Sequence, residues 1–298
     1  MTIAGIGQRW VAERLPERPA HAHKGTFGRV LVVAGSRQYA GAALLAGLGA
    51  ARAGAGLISL ATSESVGLAL LGQVPELTML LLDEEAPGLV APGGWRRLAS
   101  EVPTYDAMVV GPGLGRQPAT WRRLRGLLGS LDVPTVVDAD GLNALAEQDS
   151  WWRSLPPSTV LTPHPGEFAR LARRRADDPL PDTDAARAEA ARAAAVLWKR
   201  VLVLKGANTV VADADGNLRR SDIATPALAT AGSGDVLAGV IGAFLAAGLE
   251  PFAAACCGVA VHGAAGLLAE DRIGRAGVMA SDIAGLLPAA IEQLRSGR

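Results

Sequence analysis

The chain has 298 residues, 49% of them hydrophobic, with 29 Lys plus Arg balancing 29 Asp plus Glu. The apolar content supports a large buried core, and the length alone permits one big domain or two small ones. The balanced charge argues against nucleic acid or an anionic membrane surface as a partner, so any phosphate must be held locally by a few amides and one or two cations.

Residues 1–20 carry charge throughout and contain no continuous apolar run, so they are not a signal peptide and read as an extension ahead of the fold. A cytoplasmic protein is expected. The apolar stretch Val236 to Leu249 is too short to span a bilayer. The block His23-Lys24-Gly25-Thr26-Phe27-Gly28 precedes a first predicted strand, Val30–Ala34, and a Gly/Ala-rich helix follows over Gly41–Ala53. Small residues at that helix start leave room for a ligand, or simply allow close packing. Leu57–Ala61 is the next strand, and Asp83–Gly94, rich in acid, Pro and Gly, reads as a surface loop.

Further buried strands are predicted at Ala107–Val110, Thr135–Val137, Thr159–Leu161 and Val201–Leu204, each a short apolar run bounded by Gly, Pro or Asp. Helices are predicted at Thr120–Leu128, Gly141–Glu147, Glu167–Arg173, Thr183–Lys199, Gly234–Ala247, Phe252–Asp271 and Ser281–Glu292. The segment Arg173–Asp184 reads as a second surface loop. Thr209–Ala212 and Leu218–Ser221 flank Asp215-Gly216-Asn217 as a hairpin in the C-terminal half. Strands alternating with helices imply an α/β fold with a mostly parallel, doubly wound sheet. No internal repeat is visible, and residues 1–298 are read as a single domain. Cys256 and Cys257 are adjacent among Ala and Val, which suits a buried helix rather than a clamp or a metal site.

Four of the strand ends carry residues able to do chemistry, and in an open sheet such loops line one crevice. After Val110 comes Gly111-Pro112-Gly113-Leu114-Gly115, which is not the dinucleotide GxGxxG pattern. After Val137 come Asp138 and Asp140. One can cap the next helix, while the other can face the crevice and serve Mg²⁺ through water. After Leu161 comes Thr162-Pro163-His164-Pro165-Gly166-Glu167. The prolines hold His164 at the strand edge as a substrate contact. Glu167 is either a metal contact beside His164 or an acidic residue favoured in the first turn of a helix. A zinc site lacks a third His or Cys. After Leu204 comes Lys205-Gly206-Ala207-Asn208-Thr209, suited to a nucleotide phosphate or to an ordinary turn.

The most informative run is Ala229-Thr230-Ala231-Gly232-Ser233-Gly234-Asp235, opening straight into a long apolar helix. Free amides at that helix start, with the helix dipole, make an anion site at Gly232, Ser233 and Gly234. Asp235 in the first turn is placed to accept a proton from a substrate hydroxyl. The alternative is that Ser233 or Asp235 merely caps the helix. No GxxxxGK[ST] run exists, which argues against a P-loop enzyme.

Taken together, the blocks at 23–36, 41–57, 109–115, 136–145, 161–171, 201–210 and 227–249 resemble, in order, the ADP- or ATP-dependent NAD(P)H-hydrate dehydratases on a ribokinase-like fold. The resemblance implies that Lys205, Gly206, Ala207, Asn208, Thr209 and Gly234 contact the adenine nucleotide. It implies that Ala42, Gly113, His164 and Asp235 contact the hydrated dinucleotide, with Asp235 as base. The implied reaction phosphorylates the hydroxyl of the S-hydrate from ADP or ATP, then eliminates phosphate and restores NADH or NADPH. Mg²⁺ is expected as cofactor from the aspartates after Val137, and the resemblance also implies a homo-oligomer, often a tetramer, and a separate epimerase activity for the other epimer. A small-molecule kinase of the same fold, acting on a hydroxymethyl-pyrimidine or thiazole alcohol, is the second reading. A nucleotide-binding regulatory protein without turnover is the third.

Overall fold

The computed structural model describes residues 3–174 and 183–297, so residues 175–182 of the predicted loop Arg173–Asp184 lie outside the described part. The strands are β1 (Ala4–Gly5), β2 (Arg29–Val33), β3 (Leu57–Ser63), β4 (Thr78–Leu82), β5 (Glu84–Ala86), β6 (Leu89–Val90), β7 (Ala107–Val110), β8 (Thr135–Val137), β9 (Thr159–Leu161), β10 (Val201–Leu204), β11 (Val210–Ala212) and β12 (Leu218–Arg220). The helices are α1 (Gln8–Ala12), α2 (Ala40–Ala53), α3 (Glu64–Leu70), α4 (Pro92–Glu101), α5 (Pro118–Leu128), α6 (Asp140–Ala146), α7 (Pro165–Leu171), α8 (Asp184–Trp198), α9 (Ser233–Ala246), α10 (Pro251–Ile273) and α11 (Ala280–Ser296).

Ten strands form one sheet in the order β1-β12-β11-β10-β9-β8-β7-β2-β3-β4. From β10 to β4 every neighbour is parallel. The β11–β12 hairpin is antiparallel, as its turn residues predict. The central strands β7 to β10 are buried along their whole length, because helices cover both faces. One face packs on α1, α2, α9, α10 and α11, and the other on α4 to α8. Chain order reverses between β2 and β7, where open sheets bind ligands.

The Gly and Ala content has a mechanical purpose between α2 and α9. A Cβ on Gly239 would sit 2.0 Å from the Ala46 carbonyl oxygen, and one on Gly49 would sit 2.3 Å from that of Val236. The two helices therefore touch backbone to backbone, which fixes the amino end of α9 against the sheet. Helix α10 is 23 residues long and contains an 18-residue window of mean hydropathy 1.8, long and apolar enough by composition to cross a membrane. Yet 72% of its apolar window is buried inside the fold, so it serves as a core helix.

Three segments differ from the sequence-based expectation. Residues 4–15 are not an extension ahead of the fold: β1 pairs with β12, and Val11 and Leu15 are buried in the core. The predicted loop Asp83–Gly94 contains the β5–β6 hairpin and the start of α4, where Pro92 sits in the first turn. Strand β4 and helix α3 were absent from the predicted elements.

Candidate active site

The carboxyl ends of β8, β9 and β10, the amino end of α9 and the segment 223–230 enclose a cavity of about 780 Å³. It is lined by Asp138, His164, Glu167, Lys205, Gly206, Ala207, Thr209, Gly232, Ser233, Gly234 and Asp235 among others. Residues chosen from separate loops thus share one space, as the strand-end rule requires.

At the amino end of α9, Gly232 adopts φ +87° and turns the chain into the helix. A side chain there would be strained and would also meet Leu45 of α2. No side chain caps this helix, so the capping alternative for Ser233 and Asp235 does not hold. The Ser233 amide is already used, donating to the Thr230 carbonyl at 3.2 Å. Of the predicted trio only Ser233 thus has its N–H engaged: no described residue accepts from the Gly232, Gly234 or Asp235 N–H, and the helix dipole adds to the latter two.

Asp235 makes no hydrogen bond or ion pair with the described residues, so its carboxylate is free to take a proton. Burial raises its pKa to about 7, with further push from Asp138, while Lys205 pulls it down. A carboxylate tuned near neutral pH is suited to general-base work.

Lys205 lies at the centre of the polar wall. Its Nζ is 2.7 Å from Asp138 Oδ1 and 4.0 Å from Glu167 Oε2. Despite the cost of burial, these carboxylates hold its pKa above the usual lysine value. Asp138 Oδ1 also accepts from the Thr162 hydroxyl at 2.8 Å. A Cβ on Gly234 would come within 3.2 Å of the ammonium, so glycine leaves the lysine room beside the helix start. Arg187 of α8 clamps the loop behind it, donating to the carbonyls of Lys205 and Ala207.

These ion pairs bear on the expected Mg²⁺ contact. Asp138 and Glu167 are both engaged by the ammonium, and among the described residues no cluster of three or more His, Cys, Asp or Glu could hold a metal. The two carboxylates do not fit a metal cage, because Lys205 occupies the position between them. Asp140 does not face the cavity either. Its Oδ2 accepts from the Gly115 amide at 2.8 Å and pins the Gly111–Gly115 loop to α6.

His164 has a double placement. Its Nδ1 accepts from the Gly166 amide at 3.0 Å and caps α7, while Glu167 Oε2 accepts from the His164 amide at 2.9 Å. That capping box explains the His-Pro-Gly-Glu spacing. The ring remains half exposed at the cavity wall, with Nε2 3.4 Å from Glu167 Oε1. Burial, then Lys205 and Arg170, lower its pKa, so it is neutral at neutral pH and presents Nε2–H.

Ala42 and Gly113 lie outside the cavity lining, yet they meet each other. A Cβ on Gly113 would be 2.8 Å from the Ala42 methyl carbon. The Gly35 amide donates to the Pro112 carbonyl at 2.8 Å, so this corner is the reversal point between β2 and β7. Asn208 also turns away: its Nδ2 donates to Asp184 at 2.9 Å. The block 23–28 is not brought to the site at all. Gly28 abuts Ala246 at the opposite end of α9, about 20 Å from Ser233 for a helix of this length.

Sequence reasoning missed three parts of the wall. His262 of α10 reaches Ser233 across 29 positions, and its single polar ring in an apolar helix was the available signal. The segment Ile223–Thr230 crosses α10, with Ile223 and Leu228 seated against Gly263 and Gly266. Ala139 holds φ +48°, ψ −119°, a strained conformation for a non-glycine residue at the cavity edge.

Comparison with known proteins adds an independent line. A sequence model described as NAD(P)H-hydrate dehydratase matches residues 30–289. The ADP-dependent (S)-NAD(P)H-hydrate dehydratase of Bacillus subtilis is 36% identical over 290 residues, covering 97% of this chain and 98% of that protein. The bifunctional NAD(P)H-hydrate repair enzyme Nnr of Moorella thermoacetica is 41% identical over 285 residues, 96% of this chain but 53% of that protein. The chain thus spans about half the length of such bifunctional relatives. Among solved structures, the B. subtilis ADP/ATP-dependent NAD(P)H-hydrate dehydratase co-crystallised with ATP and Mg²⁺ superimposes with TM-score 0.83 at 34% identity, covering 99% of both chains. A Pyrococcus horikoshii hydroxyethylthiazole kinase shares the fold, with TM-score 0.59 at 16% identity, covering 95% of this chain and 91% of that one.

Proposed function

The chain belongs to the NAD(P)H-hydrate dehydratase family, and from that premise we propose that it dehydrates the S epimer of hydrated NADH or NADPH at the expense of ADP or ATP. The observation that carries this reading is the uncapped amino end of α9 with Asp235 in its first turn, facing Lys205 across one cavity.

The chemistry follows from leaving-group ability. Hydroxide leaves poorly and phosphate leaves well. Asp235 accepts the proton of the ring hydroxyl as its oxygen bonds to the terminal phosphorus of the nucleotide. The bond from that phosphorus to the bridging oxygen breaks, releasing AMP from ADP, or ADP from ATP. The Gly234 and Asp235 amides and the Lys205 ammonium stabilise charge on the phosphoryl oxygens in flight. The ring nitrogen lone pair then expels phosphate, and loss of a ring proton restores the reduced nicotinamide. Lys205, Gly206, Ala207, Thr209 and Gly234 hold the nucleotide, with Asn208 holding the loop shape. His164 offers Nε2–H to the dinucleotide, which extends toward the Ala42–Gly113 corner.

Cytoplasmic location and a homo-oligomer belong to the same proposal. So does a separate epimerase for the R form, in keeping with the bifunctional names of relatives about twice this length. The test is incubation of the purified protein with ADP and chemically hydrated NADH. Return of reduced-nicotinamide absorbance with stoichiometric AMP and phosphate is expected. Consumption of ADP that stops at a stable phosphate ester would instead make the protein a kinase.

A further inference from the structure

Ser233 Oγ lies 3.1 Å from His262 Nε2, joining the first turn of α9 to the middle of α10. The residues are only 4% and 6% exposed, and both line the catalytic cavity. The imidazole has no other side-chain partner among the described residues. Its neighbours Val259, Val261 and Ala264 are apolar and buried, and burying a ring with two polar nitrogens among them is costly unless a nitrogen is partnered. Packing alone would be better served by an aliphatic side chain.

Burial pushes the imidazole pKa down to about 4, so at neutral pH the ring is uncharged and carries one proton. Two arrangements are then open. In one, the serine hydroxyl donates to a bare Nε2, and its proton points away from the cavity. In the other, Nε2–H donates to Oγ, and the serine proton is free to point into the cavity. Because the Ser233 amide is already committed to the Thr230 carbonyl, the hydroxyl is the only donor this residue has left for an anion.

We propose that His262 is a positioning residue that donates Nε2–H to Ser233 Oγ and thereby turns the Ser233 hydroxyl proton onto the phosphoryl group at the amino end of α9. The inference rests on the phosphoryl-transfer reading of the site. It adds a third donor to the Gly234 and Asp235 amides, one set by a residue on a different helix. His262 itself need not touch the substrate. Its effect passes through one oxygen, so loss of that oxygen must erase the effect.

A double-mutant cycle reads this directly. His262→Leu is expected to lower kcat about tenfold, the scale of one misdirected hydrogen bond to a charged group. Ser233→Ala is expected to lower it at least as much, and the double variant should be no slower than Ser233→Ala alone. His262→Gln, whose amide N–H can serve as the donor, should recover most of the rate. Multiplicative losses in the double variant, or a Gln variant as slow as the Leu variant, would overturn the proposal. A second measurement needs no variant to be active. Nitrogen-15 spectra of histidine-labelled wild-type protein with ADP, with His262 assigned by its loss in the Gln variant, should show Nε2 protonated. A ring protonated at Nδ1 instead would overturn it. A wild type inactive toward hydrated NADH would count against the proposed function, whereas the spectrum reports the His262–Ser233 bond by itself.

Discussion

Lys205 Nζ donates to Asp138 Oδ1 at 2.7 Å, with the lysine side chain 18% exposed and the aspartate 2%. The pair joins β10 to β8 across 67 positions of sequence. It does two jobs at once: it neutralises a buried carboxylate, and it fixes a cation where nucleotide phosphates would arrive.

Removing one member leaves the other buried without its closest charged partner, Asp138 keeping the Thr162 hydroxyl and Lys205 keeping Glu167 at 4.0 Å. Asp138→Asn and Lys205→Met are each expected to destabilise the protein by about 3 kcal/mol, the lower end for breaking a buried ion pair. The double variant should lose clearly less than the sum. Urea unfolding of the four proteins at neutral pH measures this. Additive losses would mean that the two side chains are energetically independent despite their distance.

The pair also tunes Asp235. As a base, Asp235 works only when ionised, so with its pKa raised to about 7 the rate should fall as pH drops through neutrality. Asp138 pushes that pKa up, so Asp138→Asn should move the acid limb to lower pH. Lys205 pulls it down, so Lys205→Met should move the limb to higher pH. Profiles of kcat/KM for the three proteins give the directions, and shifts opposite to these would remove Asp235 from the base role.

The same shift has a cost in stability. A folded pKa above the unfolded one means that Asp235 favours the folded state fully below about pH 4 and progressively less as pH rises through about 7. Asp235→Asn should therefore raise the melting temperature at pH 8 more than at pH 4, while abolishing turnover and leaving ADP binding intact. A variant that keeps turnover, or that melts lower than wild type at pH 8, would contradict the assignment.

His164 needs a substitution that separates its two placements. His164→Ala loses the cap of α7 and should cost about 1 kcal/mol. His164→Asn keeps a capping oxygen and should retain stability. If the ring also contacts the dinucleotide, both variants should raise KM for hydrated NADH several-fold. Normal KM in the Asn variant would leave His164 as a cap alone.

The polar wall was legible as a set of strand ends but not as a set of contacts. Continuous Val-rich runs such as Val136-Val137 and Val201 to Leu204 announce buried parallel strands, and the special residues after them follow by position. Nothing in the spacing shows that Lys205 would fall between Asp138 and Glu167, because pairing order in the sheet decides it. That is why carboxylates read as metal contacts prove to be lysine partners. Asn208 was read as a nucleotide contact, but its side chain is taken by Asp184, supplied by a helix beginning 24 positions earlier. Strand β4, Thr78-Met79-Leu80-Leu81-Leu82, lacks the β-branched bias of the others and is a strand because β3 offers it an edge. His262 sits in a helix of Ala, Gly and Val whose periodicity says only that it is buried. Its partner emerges only where α10 passes the start of α9.

The amino-terminal segment gives the last expectation. Leu15 is 4% exposed and belongs to the core, lining with Ala51 to Gly54 and Ala243 to Phe244 a cavity of about 320 Å³ at the carboxyl ends of α2 and α9. The segment is tied down at several points. Arg219 donates to the Gly5 carbonyl at 2.7 Å, Gln8 to the Gln293 carbonyl at 3.0 Å, and Arg295 to the Pro16 carbonyl at 2.9 Å. Leu15→Ala should therefore behave as a core truncation and cost about 2–3 kcal/mol in urea unfolding. The groups proposed to react lie at the other end of α9, about 20 Å away for a helix of its length. Below the melting transition, kcat and both KM values should match wild type. Unchanged stability would mean that residues 4–15 are an appendage, and a fall in kcat without unfolding would mean that strain at one end of α9 reaches its amino end.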